Sequence, residues 1–152
     1  MRIAARAFAA SVLGHVLGPT FQLGFGGPGG WTILDEPELQ LGPHVLVPNL
    51  AGWRVETMPE LPDVARFAVV PDWVCEVLSP STESFERHEK ALIYGANGVT
   101  FLWLVDPDAR TIEARRSVRG RWTSLGTFGA DAVARIEPFD AVELTVATIF
   151  AR

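Results

Sequence analysis

Trp73 to Leu78 (WVCEVL) and Val99 to Val105 (VTFLWLV) are nearly continuous apolar runs of strand length. Such runs mark strands buried on both faces rather than on one. Between them, Ser79-Pro80-Ser81-Thr82 breaks the first run, and Ser81 or Thr82 can cap a helix. That helix runs to about Ala96, with Glu83 and Glu86 early in it, where the helix dipole favours anions, and Asn97-Gly98 ends it. Strand, helix, strand in this order predicts a βαβ unit, a parallel pair with a right-handed crossover.

Upstream, Ala5 to Leu17 carries Phe8, Val12, Leu13 and Val16 at helical spacing, and Gly18-Pro19 is placed to stop the helix. The glycines from Gly24 to Gly30, with Pro28, then read as a flexible loop. No lysine followed by serine or threonine comes after them, so this is no P-loop. Trp31 to Asp35, Glu38 to Leu41 and His44 to Leu50 read as strands. The last two join across Gly42-Pro43, and Pro48 marks a strand end or an edge. Val55 to Pro71, punctuated by prolines, reads as a surface loop with a short strand at Phe67 to Val70. Past Asp106-Pro107-Asp108, Thr111 to Ser117 and Arg121 to Phe128 form a hairpin around Arg119-Gly120. Val142 to Leu144 and a short helix from Thr145 close the chain. The predicted class is α/β, a mixed sheet flanked by helices with a C-terminal β-hairpin.

At 152 residues the chain has the size of one domain, 1–152, able to bury a real core. Acidic residues outnumber basic ones, 18 to 13, for a formal net charge of −5. That balance argues against gripping duplex DNA over a broad basic face, but it leaves room for a local basic patch. The lone Cys75 excludes an intrachain disulfide and a cysteine-based zinc site, and its apolar neighbours mark it as a buried thiol. Arg2 and Arg6 ahead of Ala7 to Leu17 resemble the start of a secretory signal. Gly14 and His15 interrupt that stretch, and it is too short to span a membrane. The expectation is a domain helix in a cytoplasmic protein.

Glu76 is the first candidate for chemistry. A carboxylate in a strand buried on both faces is costly unless it is paired or binds a metal. A salt bridge and a hard-metal ligand are both open. Asp72 lies four residues earlier, about 13 Å along an ideal strand, too far to share one ion with Glu76. Capping or pairing at the strand mouth suits it better. Lys90 follows Glu86 by one helical turn, the spacing of a surface ion pair. Alternatively it leans over the end of the Glu76 strand, where it would stabilise a phosphate or orient a water. Arg115, Arg116, Arg119 and Arg121 cluster on the hairpin, either as a solvated turn or as a weak phosphate-contacting patch. His15, His44 and His88 share no metal spacing, and no serine triad or nucleophile elbow is visible.

Several of these stretches, taken together, resemble one bacterial family. They are Pro48-Asn49-Leu50-Ala51-Gly52-Trp53-Arg54, the run from Pro71-Asp72-Trp73 through Glu76 to Ser81-Thr82, Lys90, Tyr94-Gly95, Gly98-Val99 and Trp103-Leu104-Val105-Asp106-Pro107. The family is that of putative restriction endonucleases in the PD-(D/E)xK superfamily. The resemblance implies a central mixed sheet and an acidic metal site that hydrolyses phosphodiester bonds in DNA with Mg²⁺, or Mn²⁺ in its place. By position Glu76 is the core-strand glutamate, and Lys90 resembles the helix lysine that stands in for one absent at Leu78. Asn49 occupies the place of the Pro-Asp aspartate. It would therefore join Glu76 as a weaker metal ligand, with Asp72 and Glu86 as possible support. Family members also carry an N-terminal segment, with a strand and an acidic residue, before the first helix here. Without that edge strand, exposed backbone would favour a homodimer. A metal-dependent endonuclease, a non-catalytic relative that binds DNA or a protein, and a remnant stable only as a dimer all follow from this pattern.

Overall fold

The computed structural model describes residues 3–80, 84 and 86–152, the side chains of residues 86 and 87 excepted. Its scaffold is a sheet of six strands in the order β1-β4-β5-β6-β7-β8. These are β1 (Trp31–Asp35), β4 (Leu50–Arg54), β5 (Trp73–Val77), β6 (Phe101–Asp106), β7 (Thr111–Val118) and β8 (Arg121–Gly129). Two small antiparallel pairs flank it, β2 (Leu39–Leu41) with β3 (His44–Leu46), and β9 (Val133–Ala134) with β10 (Leu144–Thr145). β5 and β6 pair in parallel, Trp73 opposite Phe101 and Val77 opposite Val105, as the βαβ pattern predicts. All the other ladders are antiparallel, so the sheet is mixed.

Each face of the sheet buries its own core. One face packs Trp31, Leu50, Trp73, Cys75, Trp103 and Ile112 against helix α1 (Ile3–Leu17) and the C-terminal segment. The other packs Ala51, Trp53, Val74, Leu102 and Leu104 against helix α2 (Ala91–Ala96) and the β2-β3 pair. Alternate residues of β5 therefore go to opposite cores, and Glu76 goes to the α2 side.

Four local expectations are corrected. The helix is not stopped at Gly18-Pro19 but continues as a π-helical turn, Gly18–Gln22, in which the Leu23 N–H donates to Gly18 O at 3.0 Å. Pro19 removes one backbone donor at the junction, and the wider turn that follows accommodates it. The buried face of α1 is Ala9, Leu13 and Leu17, with Val12 and Val16 at its border, and Phe8 is 40% exposed. Leu50 begins a strand of its own rather than ending the previous one, because Pro48 has no N–H for a ladder. Gly52 lies inside that strand because the rings of Trp31 and Trp73 cover it. A Cβ there would meet them at 3.1 and 3.2 Å. Phe67 makes only an isolated bridge to Leu39, not a strand.

The hairpin turn is of the type whose twist suits two-residue loops, with positive φ at both Arg119 (56°) and Gly120 (77°). The hairpin docks on α2. Trp122 Nε1–H donates to Ala91 O at 2.7 Å, and a Cβ at Gly95 would stand 3.0 Å from that indole nitrogen. Before α2, the chain from Glu86 to Lys90 is wound as a π-helix. The expected caps Ser81 and Thr82, and Glu83, lie outside the described residues. β1 is an edge strand, and the Ile33 N–H on it donates to the Gln22 side chain. Among the described residues no helix is long and apolar enough to cross a membrane.

Candidate active site

β5 ends where its partner β4 begins, and the residues that finish this corner are polar. Pairing of the two strands stops at Leu50 opposite Cys75. The next ladder partner of Val77 would be Pro48, which cannot donate. Two side chains take over the peptide groups of Val77. Its N–H donates to Asn49 Oδ1 at 2.8 Å. Its carbonyl accepts from Arg6 Nε at 3.2 Å and Arg6 Nη2 at 3.1 Å. Asn49 and Arg6 thus cap the end of the strand from loop and helix.

One residue back, Glu76 is 1% exposed, the one buried charged residue among those described. Its Oε2 accepts from Tyr94 Oη–H at 2.6 Å and lies 3.0 Å from Lys90 Nζ. Lys90 and Tyr94 are four residues apart, so consecutive helical turns bring both to the same face above β5. Burial raises the Glu76 carboxyl above its ordinary range and outweighs Lys90, the Tyr94 hydrogen bond and the charge of Arg6, which all pull it down. Burial also raises the Cys75 thiol, with Glu76 adding to it, so Cys75 is an inert core residue.

The structure thus brings together Glu76, Lys90 and, one peptide away, Asn49. Asp72 stands at the other end of β5, where its Oδ2 accepts from Arg54 N–H at 2.7 Å, the capping role its position suggested. Nothing is described of the Glu86 side chain. The hairpin arginines do not form one patch. Arg115 bonds Glu113 through Nε and Nη2, each at 2.8 Å, so its charge is already paired. Arg116 points to the opposite face, over the Phe101 ring at 5.7 Å and 3.9 Å from Glu137. Arg119 forms the turn and Arg121 opens β8. Strand alternation separates neighbours that look adjacent in sequence.

Tyr94 and Arg6 are the residues that sequence reasoning missed. The i, i+4 spacing of Lys90 and Tyr94 was a usable signal. Nothing local could have paired Arg6 with Val77, 71 positions away.

Small residues of α1 (Ala7, Ala10, Ser11, Gly14) and β1 line a groove of about 680 Å³ that reaches Asn49 and also carries Asp35 and Glu36. The donor set fits a hard divalent ion poorly. Among the described residues no three His, Cys, Asp or Glu side chains are grouped to hold a metal. The one buried carboxylate is already matched by an ammonium and a phenol, and the Asn49 oxygen is uncharged.

The model of the Uma2 family, described as putative restriction endonuclease, matches residues 23–147. The chain belongs to this family. No curated protein matches it. Among solved structures, a putative nuclease of the DUF820 group from Anabaena variabilis is similar at a TM-score of 0.69 and 22% identity. The alignment covers 97% of this chain and 78% of that one. At that identity the likeness establishes a nuclease-like α/β fold, which is the expected architecture.

Proposed function

We propose that this Uma2 chain is directed to DNA, and that its capacity to hydrolyse phosphodiester bonds is held back at Asn49. The observation that supports this is the oxygen set at the end of β5, a single carboxylate matched by Lys90 and Tyr94 with an amide oxygen one peptide away. Affinity for Mg²⁺ or Mn²⁺ follows the charge of the oxygens that gather around it. A unit charge at about 4 Å is worth roughly 4 kcal/mol at a dielectric of 20, and about twice that against a divalent ion. Replacing Asn49 by aspartate keeps the acceptor for the Val77 N–H and adds the missing charge at the same atom. Lys90 supplies the cation that a reacting phosphodiester needs. On this reading the protein works in the cytoplasm.

The test is nicking of supercoiled plasmid in Mn²⁺ by the wild type, Asn49→Asp, Glu76→Ala and the double variant. The expected result is little or no nicking by the wild type, nicking by Asn49→Asp, and its loss in the double variant. Wild-type nicking as fast as that of Asn49→Asp would overturn the impairment and make this a working endonuclease. The pre-formed match of Glu76 with Lys90 and Tyr94 favours a second reading, DNA binding without hydrolysis. A metal-independent shift of labelled duplex, with no cleavage by any variant, would select it.

A further inference from the structure

Two cations bracket two consecutive residues of β5. Lys90 reaches Glu76 from the α2 face, at 3.0 Å. Arg6 comes from α1, which packs on the other face, and reaches the Val77 carbonyl at 3.1 and 3.2 Å. Two cations thus meet within two residues of β5, in a chain whose formal charge is −5. The Arg6 charge is felt at Glu76, where it favours the carboxylate. Lys90 makes the salt bridge to Glu76, whereas Arg6 is held by a carbonyl, a neutral partner.

The chemistry of Arg6 suits an anion. A guanidinium has five N–H donors in a planar fork, and the Val77 carbonyl takes only two of them. That anchor fixes the plane of the group, so less side-chain freedom is lost when a ligand binds. Arg6 is only partly buried, so a ligand can reach it. The neighbouring groove is not an alternative seat for a phosphate, because Asp35 and Glu36 line it.

We infer that Arg6 is an anion-contact residue, anchored on the Val77 carbonyl and presenting its remaining donors to a non-bridging oxygen of a DNA phosphodiester on the α1 side of the β5 end. The inference rests on the DNA-directed reading for the identity of the anion, but not for the existence of the contact.

The experiment measures binding of a short fluorescein-labelled DNA duplex over a salt series, without divalent metal, for wild type, Arg6→Gln and Arg6→Lys. The same proteins are melted with and without inorganic phosphate. Arg6→Gln should weaken duplex binding about tenfold or more, the worth of a charge-assisted hydrogen bond. It should also lower the slope of log K against log salt by about 0.9, one phosphate contact. Arg6→Lys should keep the slope, having the charge, and lose affinity, lacking the fork. A folded Arg6→Gln with wild-type affinity and slope would overturn the assignment. Where Arg6→Gln does not fold, Arg6→Lys decides, and wild-type affinity in that variant overturns it. Should the wild type bind no duplex, the DNA reading fails by itself. The contact then stands if phosphate raises the melting temperature of the wild type but not of the Arg6 variants, and falls if phosphate acts on none of them.

Discussion

On the α1 face of the sheet, Trp31, Trp73 and Trp103 gather around Phe139, with ring centroids 4.8–5.7 Å apart and mostly edge-on. On the α2 face, the same strands present Glu76 among Val74, Leu78, Leu102 and Leu104, met by Lys90 and Tyr94. The first face gains its stability from apolar area and aromatic geometry. The second gives some of that up, since an ion pair withdrawn from water about breaks even at best. A protein selected for stability alone would have no reason to keep Glu76, and a well-packed leucine would serve. The contrast sets a buried, matched charge on one face against an all-apolar core on the other, and it can be broken in three ways.

The largest effects should come from truncation on either face. Trp103→Ala should cost about 3–5 kcal/mol in urea unfolding, as expected for a buried indole. It also loses the 2.9 Å bond from Trp103 Nε1–H to Glu137 O. Lys90→Met should cost about as much, roughly 3–5 kcal/mol, because it strands a buried carboxylate. The faces differ in rescue. Glu76→Leu combined with Lys90→Met should return to wild-type stability or exceed it by about 1–4 kcal/mol, whereas no polar partner rescues Trp103→Ala. A double variant as unstable as Lys90→Met alone would mean that Glu76 is there for packing.

A middle effect concerns Tyr94. Tyr94→Phe removes a hydrogen bond to a charged group and should cost about 1.5–3 kcal/mol. The pH dependence has a definite sign. The folded-state value of Glu76 is raised, so its contribution is fully present below the ordinary carboxylate range and is lost as pH rises through the folded value. Tyr94→Phe removes one of the groups that hold that value down, so its deficit should widen as pH rises above the ordinary carboxylate range. A deficit flat with pH in equilibrium unfolding would separate Tyr94 from the ionisation of Glu76.

The smallest effect is expected on the hairpin. Arg115→Ala should change stability by about 1 kcal/mol or less, since its pairing with Glu113 is within one strand and partly solvated. It should leave DNA binding unchanged. Weaker binding in Arg115→Ala would return the hairpin to the list of phosphate contacts.

Much of this fold was legible in the residues. The WVCEVL and VTFLWLV runs read as strands covered on both sides, and the helix between them called for a parallel pair. Arg119-Gly120 fixed the hairpin because its turn needs positive φ. β4 was hidden because an interior glycine argues against a strand, and only the two indoles over Gly52 explain it. The face of α1 was misread by one residue because alanine at position 9 carries little hydrophobic signal, although it is wholly buried. At the site, Glu76 stood out as an unmatched charge in an apolar run, and Lys90 was one of two readings of a helical spacing.

By itself, then, the sequence determined the elements whose signal is local: apolar period, turn chemistry and a carboxylate where solvent is excluded. Only the tertiary structure decided that Lys90 turns to Glu76, that Tyr94 shares the same oxygen, that Asp72 caps the far end of β5, and that Asn49 and Arg6 together complete the Val77 peptide. Those choices depend on which backbone groups are left unpaired when Pro48 ends a ladder and α1 packs across the sheet. An unpaired peptide group is satisfied by whatever donor or acceptor the fold brings near it, at any distance along the chain.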